Sequence, residues 1–548
     1  MRGTRTLAGA RPYALLVFLC LLLYTPGLAR IPALDRDEAR FAQASRQMLE
    51  SGDYIRIRFQ NEARNKKPVL IYWLQAASVE LFSTPESTAI WPYRLPSVLG
   101  AALAVLLTFA FGSRLFAGEP ESARGALFAA ILMASAFGLI AEAHIAKTDA
   151  CLLAATVAAQ GALGRIYLAA KSGRRAGWAP ALVFWIAEAL AILLKGPIAP
   201  LIAFLTAGAL AAADHDFSWL RGLRPGPGLL LLAAIVAPWL VAIEKATDGR
   251  FLVGALGHDL LPKLLGGQDS HGAPPGYYLL LSPAYFWPGS LYLVPALALA
   301  WQRRKAAPER FLLAWIVPAW VLFELVPTKL PHYVLPLYPA LALLAGRALA
   351  GAFPPSLSRA ARYADGAVKA LWAIATLALA ALFVALPILF GSGASLPAIA
   401  AAAILLGLAP ALFLSPRRFF LVPALAAVFV LSTAEIVLPG LDRLWLSRSA
   451  AALVAAHPGR SGEPLVAVGY NEPSLVFLLG TKTRLLLPSA AAKALHEGGR
   501  ALVSGRDGEA FATALAAHGL SAEKLGRVSG LDYSTGKWLR LTLYGIRR

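Results

Sequence analysis

Residues 34–82 have the sequence LDRDEARFAQASRQMLESGDYIRIRFQNEARNKKPVLIYWLQAASVELF, a charged stretch between two strongly apolar regions. Asp35 occupies an N-cap position, and Glu38, three residues later, completes a capping box that starts a helix. Apolar residues recur at helical spacing from Phe41 to Leu49, which predicts an amphipathic helix on a membrane surface. The Ser-Gly-Asp turn that follows ends this helix.

A short extended piece and a basic run, Arg64-Asn65-Lys66-Lys67-Pro68, complete the charged loop. Asp37 and Glu38 place two carboxylates near these basic side chains, so one folded loop can bind an anionic group and move a proton. Carboxylates in a first helical turn also stabilise a helix N-terminus, and basic residues beside a membrane also bind lipid headgroups. Both interpretations of each group stay open at this point.

The chain as a whole has the composition of a polytopic membrane protein. Of its 548 residues, 58% are hydrophobic and 15% are charged, and the mean hydropathy is +0.61. Soluble domains are about 45–50% apolar and about 25% charged. We attribute the net charge of +20 to basic cytoplasmic loops that face anionic lipid. Nucleic acid is not an expected partner, because aromatic and basic residues do not alternate along any segment.

The two cysteines, Cys20 and Cys151, lie inside apolar segments, which argues against a disulfide framework or a cysteine-based metal site. Arg2, Arg5 and Arg11 precede the first apolar run, an arrangement shared by signal peptides and by uncleaved first helices. We interpret this segment as a retained helix, with cleavage as the alternative. In both cases the charged loop that follows lies outside the cytoplasm.

Segments of about 20 apolar residues can cross a bilayer, and we predict about thirteen of them. They lie near residues 12–32, 94–113, 125–143, 149–170, 178–194, 196–213, 228–245, 276–301, 311–326, 331–350, 367–390, 396–415 and 419–439. With the N-terminus inside, every cytoplasmic loop is basic, whereas the opposite loops carry mixed charge, histidine and proline, in agreement with the positive-inside rule. The first outer loop, residues 33–93, therefore faces away from the cytoplasm.

The composition changes near Leu441, so we divide the chain into a transmembrane domain, residues 1–440, and a second domain, residues 441–548. Predicted strands alternate there with predicted helices, which indicates a small α/β domain outside the cytoplasm. The strands are expected near Pro464–Gly469, Leu485–Leu487, Ala501–Ser504 and Trp538–Ile546, and the helices near Ser474–Leu479, Ala490–His496 and Gly508–His518. The predicted fold class is an all-α polytopic membrane protein with this C-terminal addition.

Further polar residues stand at the outer ends of predicted spans. Asp149 begins the fourth span, directly after His144 and Lys147, and Lys195 and Lys329 lie in proline-containing turns. An ionisable residue at membrane depth indicates function, although a carboxylate at a helix start also acts as a cap. A phosphate site on the outer face predicts a phosphate-bearing lipid as substrate, because nucleotide-activated substrates are cytoplasmic.

The outer loop 245–275 contains four residues of types that can ligate a metal, His258, Asp259, Asp269 and His271. Their spacing matches no common metal-binding motif, so only their residue types suggest a metal site. Walker, Rossmann and GxSxG signatures are absent from the sequence.

Several of these segments together resemble the bacterial lipid A aminoarabinose transferases, which belong with the protein O-mannosyltransferases in the GT-C group of glycosyltransferases. The matching segments follow one another in order along most of the membrane region. They are Asp37-Glu38-Ala39-Arg40-Phe41-Ala42, Met48-Leu49-x-Ser51-Gly52-Asp53, Lys67-Pro68, Tyr72-Trp73, Lys147-Thr148-Asp149, Leu194-Lys195-Gly196, His258, His271-x-Ala273-Pro274, Tyr277-Tyr278 and Lys329-Leu330-Pro331-x-Tyr333.

The resemblance implies transfer of a sugar from a polyprenyl-phosphate donor to a glycolipid acceptor such as lipid A. It implies a multi-pass protein of the bacterial inner membrane whose active site and C-terminal domain are periplasmic. The implied catalytic residues are Asp37, Glu38 and Asp149. The implied donor-phosphate ligands are Arg40, Arg64, Lys66, Lys67, Lys195 and Lys329, and the implied cavity-lining residues are Tyr72, His258, Tyr278 and Tyr333.

One position departs from the family. The aminoarabinose transferases carry Glu-Lys-Pro where this chain has Lys66-Lys67-Pro68, so a presumed metal ligand is missing and His258 and Asp37 are the remaining weak candidates for a divalent metal. The change from acid to base also favours an anionic sugar, such as a uronic acid, over a cationic aminosugar. The alternatives are a transporter of a lipid-linked sugar, the same chemistry on a protein acceptor, and a structural membrane subunit.

Overall fold

The computed structural model describes residues 9–117, 122–260, 262, 272–352, 357–415, 417–459 and 463–547. The described residues up to 440 form a bundle of helices. The α-helices of this part are α1 (Ala10–Tyr24), α2 (Asp37–Ser51), α3 (Leu70–Phe82), α4 (Trp91–Leu115), α5 (Ser122–Ser135), α6 (Phe137–Ala143), α7 (Asp149–Lys171), α8 (Trp178–Lys195), α9 (Ile198–Asp214), α10 (Pro225–Ala246), α11 (Tyr277–Tyr285), α12 (Leu293–Gln302), α13 (Ala307–Leu325), α14 (Tyr338–Arg347), α15 (Arg359–Phe390), α16 (Leu396–Leu414) and α17 (Leu421–Leu431).

Shorter elements connect these helices. A hairpin pairs β1 (Arg58–Phe59) with β2 (Glu62–Ala63). A short helix at Arg250–Leu252 continues into a π-helix at Val253–Leu260, and π-helical turns also occupy Ala348–Ala352 and Ser432–Val437. The 3-10 helices lie at Ser218–Leu223, Gly289–Tyr292, Pro331–Leu337 and Leu438–Gly440.

The described helices support a multi-pass membrane protein. Eight spans are long and apolar enough to cross a membrane, and the pair α5 and α6, bent by 59°, makes nine if it forms one span. Each predicted span coincides with a helix or a broken helix. However, α1 and α9 have 15 and 17 residues, fewer than the about 20 that a bilayer requires. The count of thirteen therefore stays a prediction.

Helix α2 ends as predicted but begins differently. Gly52 closes the helix in the left-handed conformation, with φ of 69°, which costs a glycine little. The N-cap is Arg36, with φ of 64° and no side-chain cap, so the prediction that Asp35 caps the helix is wrong. Asp35 instead accepts a hydrogen bond from the backbone N–H of Ser474, 3.3 Å away. A tertiary contact has replaced the local one.

Helix α2 is buried on more than one side, unlike a helix that only rests on lipid. Phe41 and Met48 belong to a core cluster shared with Tyr72 of α3. On another face Ala42 packs in a cluster with Phe477 from the C-terminal part of the chain. The helix therefore lies between the membrane bundle and the C-terminal part, and its position depends on both.

A buried ion pair holds the start of α2 against α4. The guanidinium of Arg94 donates to both carboxylate oxygens of Glu38 at 2.8 Å, and both side chains are fully buried. Glu38 also accepts the backbone N–H groups of Leu34 and Ala146, each at 2.8 Å. Every oxygen of this carboxylate is thus engaged within the protein. We therefore revise the catalytic prediction for Glu38 to a structural role.

The C-terminal part contains a five-stranded sheet with helices packed against it. Its strand order is β4-β3-β5-β7-β6, with β4, β3 and β5 parallel and β7 and β6 antiparallel. The strands are β3 (Leu465–Val468), β4 (Arg484–Leu485), β5 (Gly499–Ser504), β6 (Ser521–Asp532) and β7 (Lys537–Arg547), and the helices are α18 (Leu446–Ala456), α19 (Pro473–Leu479), α20 (Pro488–Ala494) and α21 (Gly508–Ala517). The sheet confirms the predicted α/β character of this part, whereas the domain boundary at residue 441 stays a prediction.

The C-terminal part contacts the beginning of α2 through a partly buried group of carboxylates. The backbone N–H of Asp35 donates to the hydroxyl of Tyr533 at 2.6 Å, and Glu472 accepts from the hydroxyl of Ser534 at 3.0 Å. Burial raises the pKa of Asp35 to about 6, although hydrogen bonds from Ser474 and Tyr533 oppose the rise. Burial, Asp35 and Asp532 raise the pKa of Glu472 to about 7.

The junction between α2 and the C-terminal part is expected to weaken as the pH rises from about 4 to about 7. An acid whose pKa is raised in the folded state stabilises that state below the unfolded pKa, and this contribution is lost as pH passes the folded pKa. Hydrogen exchange of residues 33–40 should therefore be faster at about pH 8 than at about pH 5, beyond the intrinsic pH dependence of exchange. Glu472→Gln should reduce the difference, and an unchanged difference in this variant would contradict the assignment.

Candidate functional site

One cavity of about 490 Å³ lies between several helices of the bundle. Its size falls in the range of about 300–1,000 Å³ typical of ligand sites. Most of its wall is apolar, and the lining residues come mainly from α8, α9, α10, α13 and residues 331–337. The apolar and proline lining consists of Pro68, Leu152, Ile192, Leu193, Pro197, Ile198, Pro200, Leu201, Val236, Trp239, Leu240, Phe251, Leu252, Ala255, Leu322, Phe323, Val326 and Pro336.

The charged groups of the wall are basic. Lys66 and Lys67, from the basic run before α3, line the cavity together with Lys195 and His332. Lys195 is the last residue of α8, where a cation interacts favourably with the helix dipole. The Nζ atom of Lys195 lies 5.3 Å from the centre of the Tyr333 ring, which also lines the cavity. The cavity therefore combines a cationic region with a long apolar surface.

A buried ionic cluster adjoins the basic wall. Asp149 is the first residue of α7 and its carboxylate is ion-paired with the ammonium of Lys195. The Nζ atom of Lys147 lies 2.9 Å from Glu142 and 3.6 Å from Asp149. His332 stands between the two carboxylates, with Nδ1 3.8 Å from Glu142 and Nε2 3.7 Å from Asp149. The carboxylates thus hold the lysines in place beside the cavity.

Lys147 determines which nitrogen of His332 is protonated. Burial lowers the pKa of this ammonium, but Glu142, Asp149 and Asp37 outweigh burial, so its pKa is raised and it stays charged. Its Nζ atom lies 3.4 Å from Nδ1 of His332. Because an ammonium can only donate, Nδ1 must accept. The imidazole is therefore neutral here, with its hydrogen on Nε2, the nitrogen that lies 3.7 Å from Asp149.

A second group lies at the beginning of α2. The Asp37 carboxylate is 63% exposed and lies 3.8 Å from the guanidinium of Arg64. Arg64 also donates to the hydroxyl of Tyr72 at 3.4 Å and lies over the ring of Phe41. Arg40, three residues after Asp37, interacts electrostatically with Arg64, Asp37 and Glu472 and is not among the residues that line the cavity. Asp37 is therefore an accessible carboxylate, unlike Glu38.

Three further predictions need correction. Lys329 donates to the backbone carbonyls of Ala273 and Val326 at 2.9 and 2.6 Å, so it joins two backbone segments and does not line the cavity as the predicted donor-phosphate ligand would. Tyr72 and Tyr278 are fully buried and are not part of the wall. All three side chains are buried inside the protein. We revise all three to structural roles.

The sequence did not single out Glu142 and His332 as site residues. Glu142 is the only ionisable residue of α6, and a charge within an apolar segment is itself a signal of function. His332 stands directly before Tyr333 in a segment that was noted for its lysine and tyrosine. Both residues join the site only because α6, α7 and residues 331–337 meet in three dimensions.

The described residues do not fit the metal that the resemblance suggested. Among the side chains that the structure describes, no three His, Cys, Asp or Glu residues converge on one point. The side chain of His258 lies outside the described residues, and Asp37 has Arg64 as its charged neighbour. A basic residue, Lys66, lines the cavity at the position of the family glutamate. No step is therefore assigned to a metal.

The chain is similar to known glycosyltransferases. A family model described as dolichyl-phosphate-mannose-protein mannosyltransferase matches residues 13–244. Undecaprenyl phosphate-alpha-4-amino-4-deoxy-L-arabinose arabinosyl transferase 2 of Pseudomonas fluorescens (strain Pf0-1) is 31% identical over 344 residues, which are 61% of this chain and 59% of that protein. The corresponding transferase of Pseudomonas aeruginosa (strain UCBPP-PA14) is 33% identical over 321 residues, 57% of this chain and 55% of the relative. The matches span less than two thirds of these curated relatives.

The fold of this chain is similar to that of a solved protein. The crystal structure of ArnT from Cupriavidus metallidurans bound to undecaprenyl phosphate has a TM-score of 0.75 and 20% identity, and the likeness covers 98% of both chains. The structure of the same protein in the apo state has a TM-score of 0.74. These comparisons confirm the predicted resemblance and the GT-C fold, including the C-terminal part. At 20% identity these structures are evidence for the fold only.

Proposed function

We propose that this protein is a membrane glycosyltransferase that moves a sugar from a polyprenyl-phosphate donor to a glycolipid acceptor such as lipid A. The bond between the anomeric carbon and the donor phosphate breaks as an acceptor hydroxyl oxygen bonds to that carbon. The polyprenyl phosphate leaves with the electron pair of the broken bond, and the hydroxyl proton goes to a base on the protein. The resemblance to the aminoarabinose transferases suggests inversion at the anomeric carbon.

The observation that carries this proposal is the shape and polarity of the cavity. Its basic region contains Lys66, Lys67 and Lys195, and an apolar wall continues from there along α9 and α10. A phosphate linked to an isoprenoid chain matches both regions, because lysine ammonium groups bind phosphate as point charges and the apolar wall buries hydrocarbon. A water-soluble sugar nucleotide would leave the apolar wall without a partner.

The basic groups would act most strongly as the donor bond breaks. The leaving phosphate gains negative charge in the transition state, and fixed cations in a mostly apolar cavity stabilise that charge more than they stabilise the ground state. Lys195 is held by Asp149, so its ammonium is oriented before the donor arrives. Asp149 thus acts as a positioning residue.

Asp37 is the best candidate for the base. Its carboxylate is 63% exposed and lies 3.8 Å from the guanidinium of Arg64, so an acceptor hydroxyl can reach it. Asp149 is less suited, because Lys195, Lys147 and His332 surround it and stabilise its charged form. Placement of the reaction on the periplasmic face is supported by the mixed-charge outer loops and the basic inner loops.

The sugar is proposed to be anionic rather than cationic. Lys66 is an exposed residue of the cavity wall, and it increases the positive charge next to Lys67 and Lys195. A cationic aminosugar would be repelled there, whereas a uronic acid would be attracted. The preference predicts that donors with uronic acid, neutral sugar and aminosugar are used in decreasing order.

Asp37→Asn is expected to lower turnover about 10²-fold, at the lower end of general-base effects, with little change in donor binding. The measurement is release of polyprenyl phosphate by purified protein in detergent, with a panel of polyprenyl-phosphate sugars and lipid A-type acceptors. Asp53→Asn is a matched control, because Asp53 lies at the far end of α2 and pairs with Arg56. Equal losses of turnover and donor affinity in Asp37→Asn would remove the base assignment.

The same assay separates an enzyme from a transporter. Acceptor-dependent release in detergent needs no sealed compartment, whereas a transporter acts only across an intact bilayer. Saturable donor binding without release from any donor in the panel would reject the transferase proposal. Release with a protein acceptor but not with glycolipids would keep the chemistry and change the acceptor.

A further inference from the structure

We propose that His332 is a phosphate-site residue that takes up a proton when a phosphate-type anion enters the cavity, so that anion binding is coupled to protonation. This inference rests on the proposed function, since it concerns the phosphate of the donor and of the leaving group. The imidazole lines the cavity, and its side chain keeps 14% of its surface exposed. A ligand in the basic region therefore meets this ring directly.

The imidazole is surrounded by charges of both signs. The groups that face it are Glu142 from α6, Lys147 from the following loop, Asp149 from α7, Lys195 from α8 and Lys67 from the basic run. Two carboxylates thus oppose three ammonium groups. Without a ligand these five groups leave a net charge of +1 around the ring, and this positive charge disfavours protonation of the imidazole. A bound monoanion cancels this excess, so a positive charge on the ring is no longer opposed.

The hydrogen-bond geometry accommodates both states of the ring. In the neutral state Nδ1 of His332 accepts from Lys147 at 3.4 Å. In the protonated state both nitrogens donate, and each already faces a carboxylate oxygen: Nδ1 lies 3.8 Å from Glu142 and Nε2 lies 3.7 Å from Asp149. Lys147 would keep its contact with Glu142 at 2.9 Å. Proton uptake therefore requires only small side-chain shifts.

Coupling of this kind would assist bond cleavage. The donor phosphate carries one negative charge as a diester, and it gains a second as the bond to the sugar breaks. An imidazolium beside it is favoured more at the end of the reaction than at the start, which is the condition for stabilising the transition state. The proton comes from bulk water when the anion binds, whereas the acceptor hydroxyl proton goes to the separate base, and no oxidant or co-reactant is needed.

The test uses farnesyl sulfate, an isoprenoid anion whose charge stays constant across the pH range. Titration calorimetry of the full-length protein in detergent, in two buffers with different ionisation enthalpies, gives the number of protons bound. We expect uptake of about one proton per ligand near neutral pH. Binding should also tighten by up to about tenfold for each pH unit as the pH falls from about 8 to about 6.

His332→Gln is the informative variant, because the glutamine oxygen can accept from Lys147 and its amide can donate to Asp149, as the neutral ring does. It should bind farnesyl sulfate with almost no proton uptake and little pH dependence. Glu142→Gln is the control for Glu142, the other group that could take up the proton. Uptake that persists in His332→Gln, or that disappears only in Glu142→Gln, would overturn the proposal.

Two failures can be told apart in this experiment. If the wild type binds farnesyl sulfate without proton uptake, the role of His332 is wrong and the donor site stands. If the wild type binds neither farnesyl sulfate nor a polyprenyl phosphate, the donor site itself is wrong, and the coupling is wrong with it.

Discussion

Lys195→Met is expected to lower turnover about 10²- to 10³-fold, the cost of removing one preorganised group that stabilises developing charge. The ammonium of Lys195 lines the cavity and its side chain is only 11% exposed, so solvent screens it little. Its partner Asp149 retains Lys147 and His332 at 3.6 and 3.7 Å. The variant should therefore fold, and the loss should appear in the chemical step.

Lys66→Met is the matched control for this prediction. Lys66 lines the same cavity but is exposed, so water screens its charge and its contribution to the transition state is smaller. We expect a loss below about tenfold for a neutral sugar donor, far less than for Lys195. Steady-state kinetics of the two variants with one donor provide the comparison. Equal losses would show that the phosphate is not bound near the end of α8.

The membrane bundle could be predicted well because hydropathy is a local property of the sequence. The α15 segment, for example, has a mean hydropathy of 2.6 in its most apolar window, which is unambiguous without any knowledge of the fold. Strand β6 was not predicted, since its sequence SAEKLGRVSGLD is largely polar. It lies at the edge of the sheet and pairs only with β7. An edge strand needs no apolar face over most of its length.

The site could be predicted only in part, because its chemistry depends on contacts between distant residues. Asp37 and Glu38 are adjacent and of the same type, yet one is exposed and the other is buried. The difference arises from Arg94, which is 56 positions further along the chain and cannot be assigned as a partner from spacing. Likewise, the motif containing Asp149 was evident, whereas its contact with His332 depends on how two spans pack.

Arg94→Met is expected to destabilise the folded protein by about 3–5 kcal/mol, the usual cost of removing one partner of a buried ion pair. The guanidinium is fully buried, and its loss leaves the Glu38 carboxylate without its countercharge. Arg94 also donates to the backbone carbonyls of Leu28, Ile31 and Pro32 at 2.8–2.9 Å. One side chain therefore fixes the end of the first span, the start of α2 and α4 relative to one another.

The double variant Glu38→Leu/Arg94→Met distinguishes this account from a simple charge pair. Replacing both members of a buried pair by apolar residues is often neutral for stability, but here the carbonyls bound by Arg94 and the two amides bound by Glu38 would lose their partners. Each unpaired buried group costs about 1–3 kcal/mol, so the double variant should remain unstable. Thermal unfolding in detergent measures this, with Asp53→Asn as a surface control. Recovery of wild-type stability would contradict the role of Arg94 in fixing these segments to one another. A Glu38→Gln variant that is stable but inactive would return Glu38 to the catalytic residues.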